Sequence, residues 1–137
     1  SWSPDGARIL FTSNRNRLVS RTDLFVMNAD GSNITQLTAD PENDYEGEWS
    51  PDGTRILFTS GRTGNPDIFV MNADGSNVIQ LTDSRGRDYL PAWSPDGNHI
   101  VFVTNRNSQF DLYLMNADGS NQRPLTDDKA ADLQPDW

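Results

Sequence analysis

The sequence predicts an all-β protein built from small antiparallel sheets that repeat along the chain. The pentapeptide Trp-Ser-Pro-Asp-Gly occurs three times, at residues 2–6, 49–53 and 93–97. The heptapeptide MNADGSN also occurs three times, and its methionines, Met27, Met71 and Met115, lie 44 residues apart. No segment has the sustained 3.6-residue period of an amphipathic helix. A repeat of this length is typical of one supersecondary unit that packs against its neighbours.

Each repeat contains four short strands separated by turn signals. The first strand runs up to the Trp, as in residues 89–93, and the SPDG that follows predicts a tight hairpin because Pro presets φ and Gly tolerates positive φ. The second and third strands are nearly continuous apolar runs, which is typical of strands covered on both faces. The second strands are predicted at Arg8–Ser13, Arg55–Ser60 and His99–Thr104. The third strands are predicted at Asp23–Asn28, Asp67–Asn72 and Asp111–Asn116.

The fourth strand is the most polar one, and we predict it at residues 33–38, 77–82 and 121–126. Its third copy contains Pro124, which cannot donate to a strand ladder, so this strand belongs at a sheet edge. Four-stranded sheets whose middle strands are buried on both faces pack face to face in series, as the blades of a β-propeller do. The polar strand is then the outer rim, and the Trp strand lines the central channel.

The motifs that carry the repeat resemble those of a known family. WSPDG, an apolar strand ending near S-x-R or T-x-R, D-[LI]-[FY]-[VL]-MNADGSN and a following L-T occur in the same order in each repeat. This pattern resembles the propeller repeat of the TolB family, a WD-like group, over the whole chain. The resemblance implies six blades and a periplasmic or secreted location. It also implies that, where such propellers accompany hydrolases, catalysis takes place on a separate domain.

The repeats divide the chain into a three-stranded remnant blade at residues 1–43, complete blades at 44–87 and 88–131, and a lone inner strand at 132–137. Three blade equivalents are too few for a ring, since propellers use roughly four to eight blades. We therefore expect residues 132–137 of one chain to complete the remnant blade of another, so that two chains form a six-bladed ring. The residues predicted to serve this assembly are Trp2, Asp132, Leu133 and Trp137, with Trp2 and Trp137 competing for one position.

Other arrangements stay open at this stage. Three chains would give nine blades, and an open three-blade fragment would expose apolar blade faces. The near identity of the repeats also fits a recently amplified or engineered sequence.

Composition excludes several functions. The formal net charge of −9 argues against nucleic-acid binding, which needs clustered Lys and Arg. Six of the 20 acidic residues belong to the SPDG and NADG turns, so much of this charge is turn chemistry. No apolar run reaches membrane-spanning length, so we expect no membrane insertion. The expected partners are a second copy of the chain and another protein.

The sequence also argues against an enzyme. It has no Cys and one histidine, His99, so a Cys-His site is impossible and a Ser-His-Asp site would have to use His99. No nucleophile-elbow sequence, histidine cluster or Gly-rich phosphate loop is present. We therefore predict a non-enzymatic scaffold or protein-interaction module that self-assembles by sharing a blade.

The repeats differ on one side of the predicted disc, which we call the variable face. It is formed by the second-to-third strand loops at residues 14–22, 61–66 and 105–110 and by the links between blades at 39–48, 83–92 and 127–136. Loops on a rigid scaffold often carry binding, and Arg and Tyr are favoured in protein contacts. The candidate interaction residues are Arg15, Arg17, Tyr45, Arg62, Arg85, Arg87, Tyr89 and Arg106. The alternative is a set of solvated loops without a ligand.

Two charged columns recur on the variable face. Asp44, Asp88 and Asp132 lie five residues before each Trp, and a ring of such carboxylates at the channel mouth would favour a cation such as Ca²⁺. The alternative function is thus a cation- or carbohydrate-binding propeller, and the alternative role for each Asp is to accept backbone N–H bonds. The second column predicts ion pairs across a hairpin, joining Arg15, Arg62 and Arg106 to Asp23, Asp67 and Asp111.

Overall fold

The computed structural model describes residues 1–16, 21–126 and 130–135. Within these ranges the chain forms three antiparallel sheets and no helix. The first sheet has three strands in the order β1-β2-β3, which are Arg8–Ser13, Asp23–Asn28 and Thr35–Gln36. The second has four in chain order, β4 to β7, which are Asp44–Trp49, Arg55–Ser60, Asp67–Asn72 and Ile79–Gln80. The third repeats this order with β8 to β11, which are Asp88–Trp93, His99–Thr104, Asp111–Asn116 and Arg123–Pro124.

The second and third strands of each repeat begin and end at the predicted residues, whereas the fourth strands are much shorter than predicted. Each fourth strand has two residues, and β11, which holds Pro124, lies at a sheet edge. A threonine that follows each fourth strand ends the ladder early, because its hydroxyl oxygen, and not a backbone carbonyl, accepts the next N–H of the third strand. The N–H of Leu24 donates to Thr38 Oγ1 at 3.0 Å, and the N–H of Ile68 donates to Thr82 Oγ1 at 2.9 Å.

Both complete inner strands contain a bulge that the sequence pattern did not predict. The pairing register shifts between Tyr45 and Glu48 in β4, and between Tyr89 and Ala92 in β8. The backbone has positive φ inside each bulge, 55° at Glu46 and 51° at Leu90. A bulge bends its strand and changes the direction of the side chains around it. The inner strands therefore present these residues differently from a regular ladder.

The SPDG turns have the predicted hairpin chemistry. In the second repeat the Ser50 hydroxyl donates to Asp52 Oδ1 at 2.6 Å, and the N–H of Thr54 donates to the same oxygen at 3.0 Å. Gly53 has a φ of 70°, which a residue with a side chain adopts at a cost. The turn is thus stabilised by its own side chains.

The sheets pack face to face around two apolar layers. The layer between the first and second sheets consists of Leu10, Leu24, Val26, Trp49, Ile56, Phe58, Phe69 and Met71. The layer between the second and third consists of Leu57, Ile68, Val70, Leu81, Trp93, Ile100, Phe102, Tyr113 and Met115. The inner strands β4 and β8 contact each other, while β3, β7 and β11 make no mutual contacts among the described residues. The sheets therefore diverge from the inner strands, as propeller blades do.

The prediction of strands buried on both faces holds where a blade has two neighbours. In the central sheet, β5 and β6 are buried along almost their whole length. In the third sheet, β9 is also buried along almost its whole length, whereas β10 alternates between buried and half-buried residues. No helix within the described ranges is long and apolar enough to cross a membrane.

Candidate functional site

An ion pair between the inner strand and the next hairpin loop organises the variable face of each complete blade. Asp44 begins β4 and its side chain is fully buried, and Arg62 Nη2 donates to both of its carboxylate oxygens at 3.1 and 3.2 Å. In the third sheet, Arg106 Nη2 donates to the two oxygens of Asp88 at 3.3 and 3.2 Å. Each carboxylate is thus neutralised within its own blade.

Each arginine is held in place by the strand that precedes its loop. Arg62 Nε donates to Ser60 Oγ at 2.8 Å, and its guanidinium carbon lies 4.9 Å from the centre of the Phe69 ring. Such a contact with an aromatic face is favourable for a cation. Arg106 repeats the arrangement with its own hydroxyl and ring partners, Thr104 at 3.1 Å and Tyr113 at 4.7 Å.

The predicted pairing of Arg62 with Asp67 and of Arg106 with Asp111 is wrong. Asp67 Oδ2 instead accepts hydrogen bonds from Thr63 Oγ1 at 2.6 Å and from Gln80 Nε2 at 3.2 Å. Its other oxygen is buried without a hydrogen-bond partner, and burial raises the pKa of this carboxyl above its ordinary value despite the Thr63 bond. Arg62 instead donates to both carboxylate oxygens of Asp44.

The Asp column does not have the property on which the Ca²⁺ prediction rests. That prediction assumes unpaired carboxylates, whereas Asp44 and Asp88 are paired with arginines. Within the described ranges, no group of three or more His, Cys, Asp or Glu residues is placed to hold a metal ion. The alternative role also differs, since the carboxylate of Asp88 accepts from side chains, Arg106 and Ser84. Ca²⁺ binding itself stays a prediction.

The third member of the column, Asp132, has a different environment. Its N–H donates to Phe110 O at 2.8 Å, just as the N–H groups of Asp44 and Asp88 donate to the preceding blade at 2.9 and 2.8 Å. Its carboxylate oxygen Oδ2 is buried, yet it accepts no hydrogen bond from the described part of the chain. Two residues later, Gln134 has a φ of 62°, which repeats the positive φ of the two inner-strand bulges. Residues 132–134 therefore follow the backbone course of an inner strand, and no described residue pairs with them as a strand.

The candidate interaction residues fall into separate groups. Arg62 and Arg106 are half-buried in their ion pairs, Arg15, Arg85 and Arg87 are exposed, and Tyr45 and Tyr89 are half-buried. Arg17 lies outside the described residues. The predicted face is thus divided between arginines that hold the blades together and arginines that are accessible.

Four of the residues on the variable face form one patch, which we call the tyrosine patch: Tyr45, Glu46, Arg87 and Tyr89. The pKa of the Tyr45 hydroxyl lies above its ordinary value. Burial and then the Glu46 carboxylate raise this pKa, and the Arg87 guanidinium lowers it by less. The same groups act on Tyr89, whose ring meets Phe110 edge-on at 5.8 Å. These mutual effects place the two phenols and the two charges within electrostatic reach of one another.

A hollow of about 410 Å³ lies beside the inner strands, where the alternative prediction would place a cation or a sugar. Its lining includes Glu46, Glu48, Leu90 and Gln134. The carboxylates join the two inner strands, because Glu46 Oε2 accepts from the N–H of Leu90 at 2.8 Å and Glu48 Oε2 accepts from that of Trp93 at 3.2 Å. These acceptors are therefore already used by the protein itself.

Sequence reasoning missed a contact that joins successive blades at the repeated Trp. The Arg8 guanidinium carbon lies 4.5 Å from the centre of the Trp49 ring, and that of Arg55 lies 4.7 Å from the centre of the Trp93 ring. The available signal was the arginine that begins the second strand in the first two repeats, a place that His99 takes in the third. Trp2 pairs with Ile9 through an isolated bridge and is 59% exposed. Trp137 lies outside the described residues.

Comparisons with known proteins agree with this architecture. Residues 1–90 match the family described as the TolB beta propeller domain, and residues 64–137 match the family described as the dipeptidyl peptidase IV N-terminal region. The Tol-Pal system protein TolB of Anaeromyxobacter dehalogenans is 51% identical over 43 residues, which are 31% of this chain and 9% of that protein.

Solved structures give the same result over most of the chain. TolB of Agrobacterium tumefaciens matches with a TM-score of 0.83 and 33% identity over 91% of this chain and 47% of that one. TolB of Acinetobacter baumannii matches with a TM-score of 0.79 and 25% identity over 91% of this chain and 31% of that one. This chain therefore spans about half the length, or less, of these relatives.

More distant similarity shows the fold alone. An oligogalacturonate lyase of Vibrio parahaemolyticus has a TM-score of 0.69 at 12% identity, over 91% of this chain and 38% of that one. The same blades thus occur in an enzyme and in TolB, so the fold does not decide activity. The repeated motifs, the three divergent sheets and the match over residues 1–90 together show that the chain belongs to the TolB beta propeller domain family.

Proposed function

We propose that this chain is a non-enzymatic β-propeller scaffold and interaction module that completes its first blade with an inner strand from a second copy. The observation that carries this proposal is the open edge of β1. The first sheet has three strands, whereas each of the other two has four. Among the described residues, Ser1 and Trp2 are the ones that pair with β1 on that side. The Ser1 carbonyl accepts from the N–H of Leu10 at 2.8 Å, and Trp2 forms a bridge to Ile9.

An open edge beside an apolar face favours association. A strand with unpaired N–H and C=O groups accepts another strand, and burying apolar surface stabilises the pair. Among the described residues, the first and third sheets each pack against the second sheet alone. Trp2, which bridges to the first sheet, is exposed. A second copy placed head to tail at both ends would cover these faces and produce six blades with twofold symmetry.

The test is the mass of the chain in solution. Sedimentation equilibrium over a range of concentrations should give twice the 15.3 kDa of one chain. A mass three times that of the chain would replace the six-bladed ring with a nine-bladed one. A monomer at every concentration would contradict assembly by a shared blade.

We propose the tyrosine patch as the contact for a second protein. Tyr and Arg dominate the energetics of protein interfaces, and Arg87 is exposed beside the half-buried Tyr45 and Tyr89. The likeness to TolB supports a periplasmic or secreted location, so envelope proteins are the appropriate candidates. Capture from an envelope extract should be lost in Tyr89→Ala and Arg87→Ala and kept in Arg123→Ala, which changes an exposed residue of the outer edge strand. Equal capture by all the variants would exclude the patch.

The proposal of a non-enzymatic role rests on the surroundings of the single histidine. His99 begins β9 beside an SPDG turn, where its backbone N–H donates to Ser94 Oγ at 2.9 Å. That hydroxyl donates to Asp96 Oδ1 at 2.6 Å, so it serves the turn. Turnover of ester, peptide or glycoside substrates that is abolished in His99→Ala would contradict this role.

A further inference from the structure

We propose that a groove between the second and third sheets docks a peptide segment of another protein, one in which an apolar side chain is flanked by basic residues. The groove, which we call the blade groove, lies beside the SPDG and NADG turns, on the side of the blades opposite the variable face. It encloses about 330 Å³, near the lower end of the range for ligand pockets in proteins. Its lining residues lie between Arg55 and Asp118, so the two complete blades form it and it does not depend on assembly.

The wall that the second sheet contributes to the blade groove is apolar. It consists of Val70, Met71, Ile79 and Leu81. Three of these residues are at most 7% exposed, whereas Ile79 is 48% exposed. Ile79 pairs directly with Val70, which packs in the layer towards the third sheet, and directly paired residues share a sheet face. An apolar side chain therefore faces the gap between two blades without being covered.

This apolar wall is a property of one repeat. The residues 44 positions before and after Ile79 are Thr35 and Arg123, which have the polarity expected at an exposed edge strand. Ile79 instead extends a buried apolar surface outwards. The rim of the blade groove is polar, with Asn72 and Asn77 among its lining residues. Exposed apolar patches with a polar rim are typical of interaction sites, unlike apolar side chains that are scattered singly.

Arg55 forms the end of the blade groove that is nearest to the SPDG turns, and its guanidinium has donors to spare. The guanidinium carbon lies 4.7 Å from the centre of the Trp93 ring, which holds the side chain in place. Among the described residues, its side chain makes no hydrogen bond or ion pair. A guanidinium carries five N–H donors, and Arg55 is half-buried. These donors are therefore available to an acceptor in the groove.

Arg55 lacks an acceptor but not a compensating charge. A second hollow, of about 440 Å³, shares Arg55 with the blade groove and is lined by Asp52 and Asp96, while Asp118 lines the groove itself. A serine hydroxyl and then a backbone N–H of the same turn lower the pKa of each of these three carboxyls below the ordinary 3.8. All three are thus ionised at neutral pH. Three carboxylates and one guanidinium leave this surface negative.

These features together select the chemistry of the occupant. The carboxylates disfavour an anionic ligand, and a purely apolar ligand would leave the donors of Arg55 without an acceptor. A peptide segment meets each requirement, because an apolar side chain covers Ile79, a backbone carbonyl accepts from Arg55, and flanking Lys or Arg residues face the carboxylates. An apolar anchor in a pocket supplies most of the affinity of such a contact, whereas charges at its rim supply specificity and salt dependence.

Short synthetic peptides test this proposal. The probes are capped, fluorescein-labelled peptides with a leucine, methionine or phenylalanine between two lysines, and fluorescence polarisation measures their binding to the whole chain. We expect saturable binding that weakens as salt is added, because salt screens exposed charges. Peptides with alanine at the centre, or with glutamates in place of the lysines, should bind with a dissociation constant roughly tenfold higher or more.

Substitutions taken from the other repeats locate the binding site. Ile79→Thr, with the side chain that the first repeat has here, should raise the dissociation constant roughly tenfold. Ile79→Arg, with that of the third repeat, should raise it further, because it adds a charge that repels the lysines. Val78→Thr is the matched control, since Val78 is also exposed but is not among the described residues that line the groove. Arg55→Met, which keeps apolar contact with Trp93 but donates no hydrogen bond, should also weaken binding.

Circular dichroism shows whether each variant retains its β structure. Equal binding by Ile79→Thr and Val78→Thr would place the peptide elsewhere and overturn the proposal. Glutamate peptides that bind as tightly as the lysine peptides would overturn the chemistry assigned to the partner. If none of the lysine peptides binds saturably, the blade groove is excluded as a docking site. These measurements concern the groove alone, so their failure is distinct from a failure of the shared blade or of the tyrosine patch.

Discussion

Arg62 lies against Asp44 so that one guanidinium nitrogen reaches both carboxylate oxygens, at 3.1 and 3.2 Å, and the carboxylate has no exposed surface. The pair joins the first strand of the blade to the loop between its second and third strands. It also holds the arginine over the aromatic layer, 4.9 Å from Phe69. The same contact recurs in the third sheet between Arg106 and Asp88. A blade of this type is therefore closed on its variable face by an ion pair as well as by its strand ladder.

Removing the arginine should be costly because it leaves a buried charge. We expect Arg62→Met, which keeps apolar contact with Phe69, to lower the free energy of unfolding by about 3–5 kcal/mol. Urea unfolding followed by tryptophan fluorescence measures this change. Arg85→Met, at an exposed position, should change it by less than about 0.5 kcal/mol. Asp44→Asn in the Arg62→Met background should recover part of the loss, and equal effects of the two Met variants would contradict a structural role for the pair.

Blade packing should distinguish two glycines with the same backbone conformation. Gly75 and Gly31 have φ values of 86° and 84°, but only at Gly75 would an added Cβ meet a neighbouring blade, 2.8 Å from Leu37 O. Alanine at either position should cost roughly 1–2 kcal/mol from the left-handed backbone. Gly75→Ala should cost about 1–3 kcal/mol more because of overpacking. Urea unfolding at a dilution where the chain is monomeric measures the free energy of unfolding of each variant. Identical losses in the two variants would show that the NADG turn at Gly75 accommodates a Cβ without overpacking against Leu37.

The SPDG turns should make stability fall in strong acid. The Ser50 hydroxyl and then the N–H of Thr54 lower the pKa of Asp52 to about 2, and the Ser94 hydroxyl and the N–H of Asn98 do the same for Asp96, from an ordinary value of 3.8. Because the pKa is lower in the folded state, the stabilisation is complete above about pH 4 and is lost as the pH falls towards 2.

The free energy of unfolding, measured from pH 5 to pH 2, should therefore decline less steeply in Asp52→Asn/Asp96→Asn than in the unaltered chain. Asp83→Asn, at an exposed position for which no turn hydrogen bond is described, is the matched control. A slope in the double variant equal to that of the unaltered chain would contradict the assignment.

Calcium should have little effect on the chain, because Arg62 and Arg106 already neutralise Asp44 and Asp88. We expect neither Ca²⁺ nor a chelator to shift the melting temperature, measured by differential scanning calorimetry. In Arg62→Met/Arg106→Met the two carboxylates lose their cations, and added Ca²⁺ should then raise the melting temperature. A Ca²⁺-dependent rise in the unaltered chain would support the predicted cation site at the channel mouth.

Local pattern was sufficient to predict much of the fold. The strands Arg55–Ser60 and Asp67–Asn72 are bounded by turn residues and have continuous apolar runs, and the structure places them where the pattern does. The fourth strands were overestimated because a Thr side chain, as at Thr38, can replace a backbone acceptor without any change in hydropathy. The inner-strand bulge at Glu46 was missed because its positive φ involves a residue that gives no turn signal.

The candidate site was predicted only in part. The columns of Asp and Arg were visible from their spacing, but their pairing was assigned by nearness in sequence, which favoured Asp67 over Asp44 as the partner of Arg62. Three members of the tyrosine patch, Tyr45, Arg87 and Tyr89, were named from the sequence, whereas the electrostatic effect of Glu46 on both phenols was not predicted. Arg8 on Trp49 was not predicted, because the two residues belong to different blades.

The sequence by itself determined the repeat, the turns and the buried strands of this protein, because these depend on residues that are neighbours along the chain. Pro and Gly set the backbone of SPDG, and runs of apolar residues determine which strands lie inside. Only the tertiary structure decided which charges meet. Asp44 lies 18 residues from Arg62 and Asp67 lies five, and strand pairing places both opposite Ser60, the residue that holds the arginine. The arginine donates to Asp44, whereas Asp67 accepts from Thr63 and Gln80. Such choices depend on side chains from strands and loops that are distant along the chain, so local pattern does not contain them.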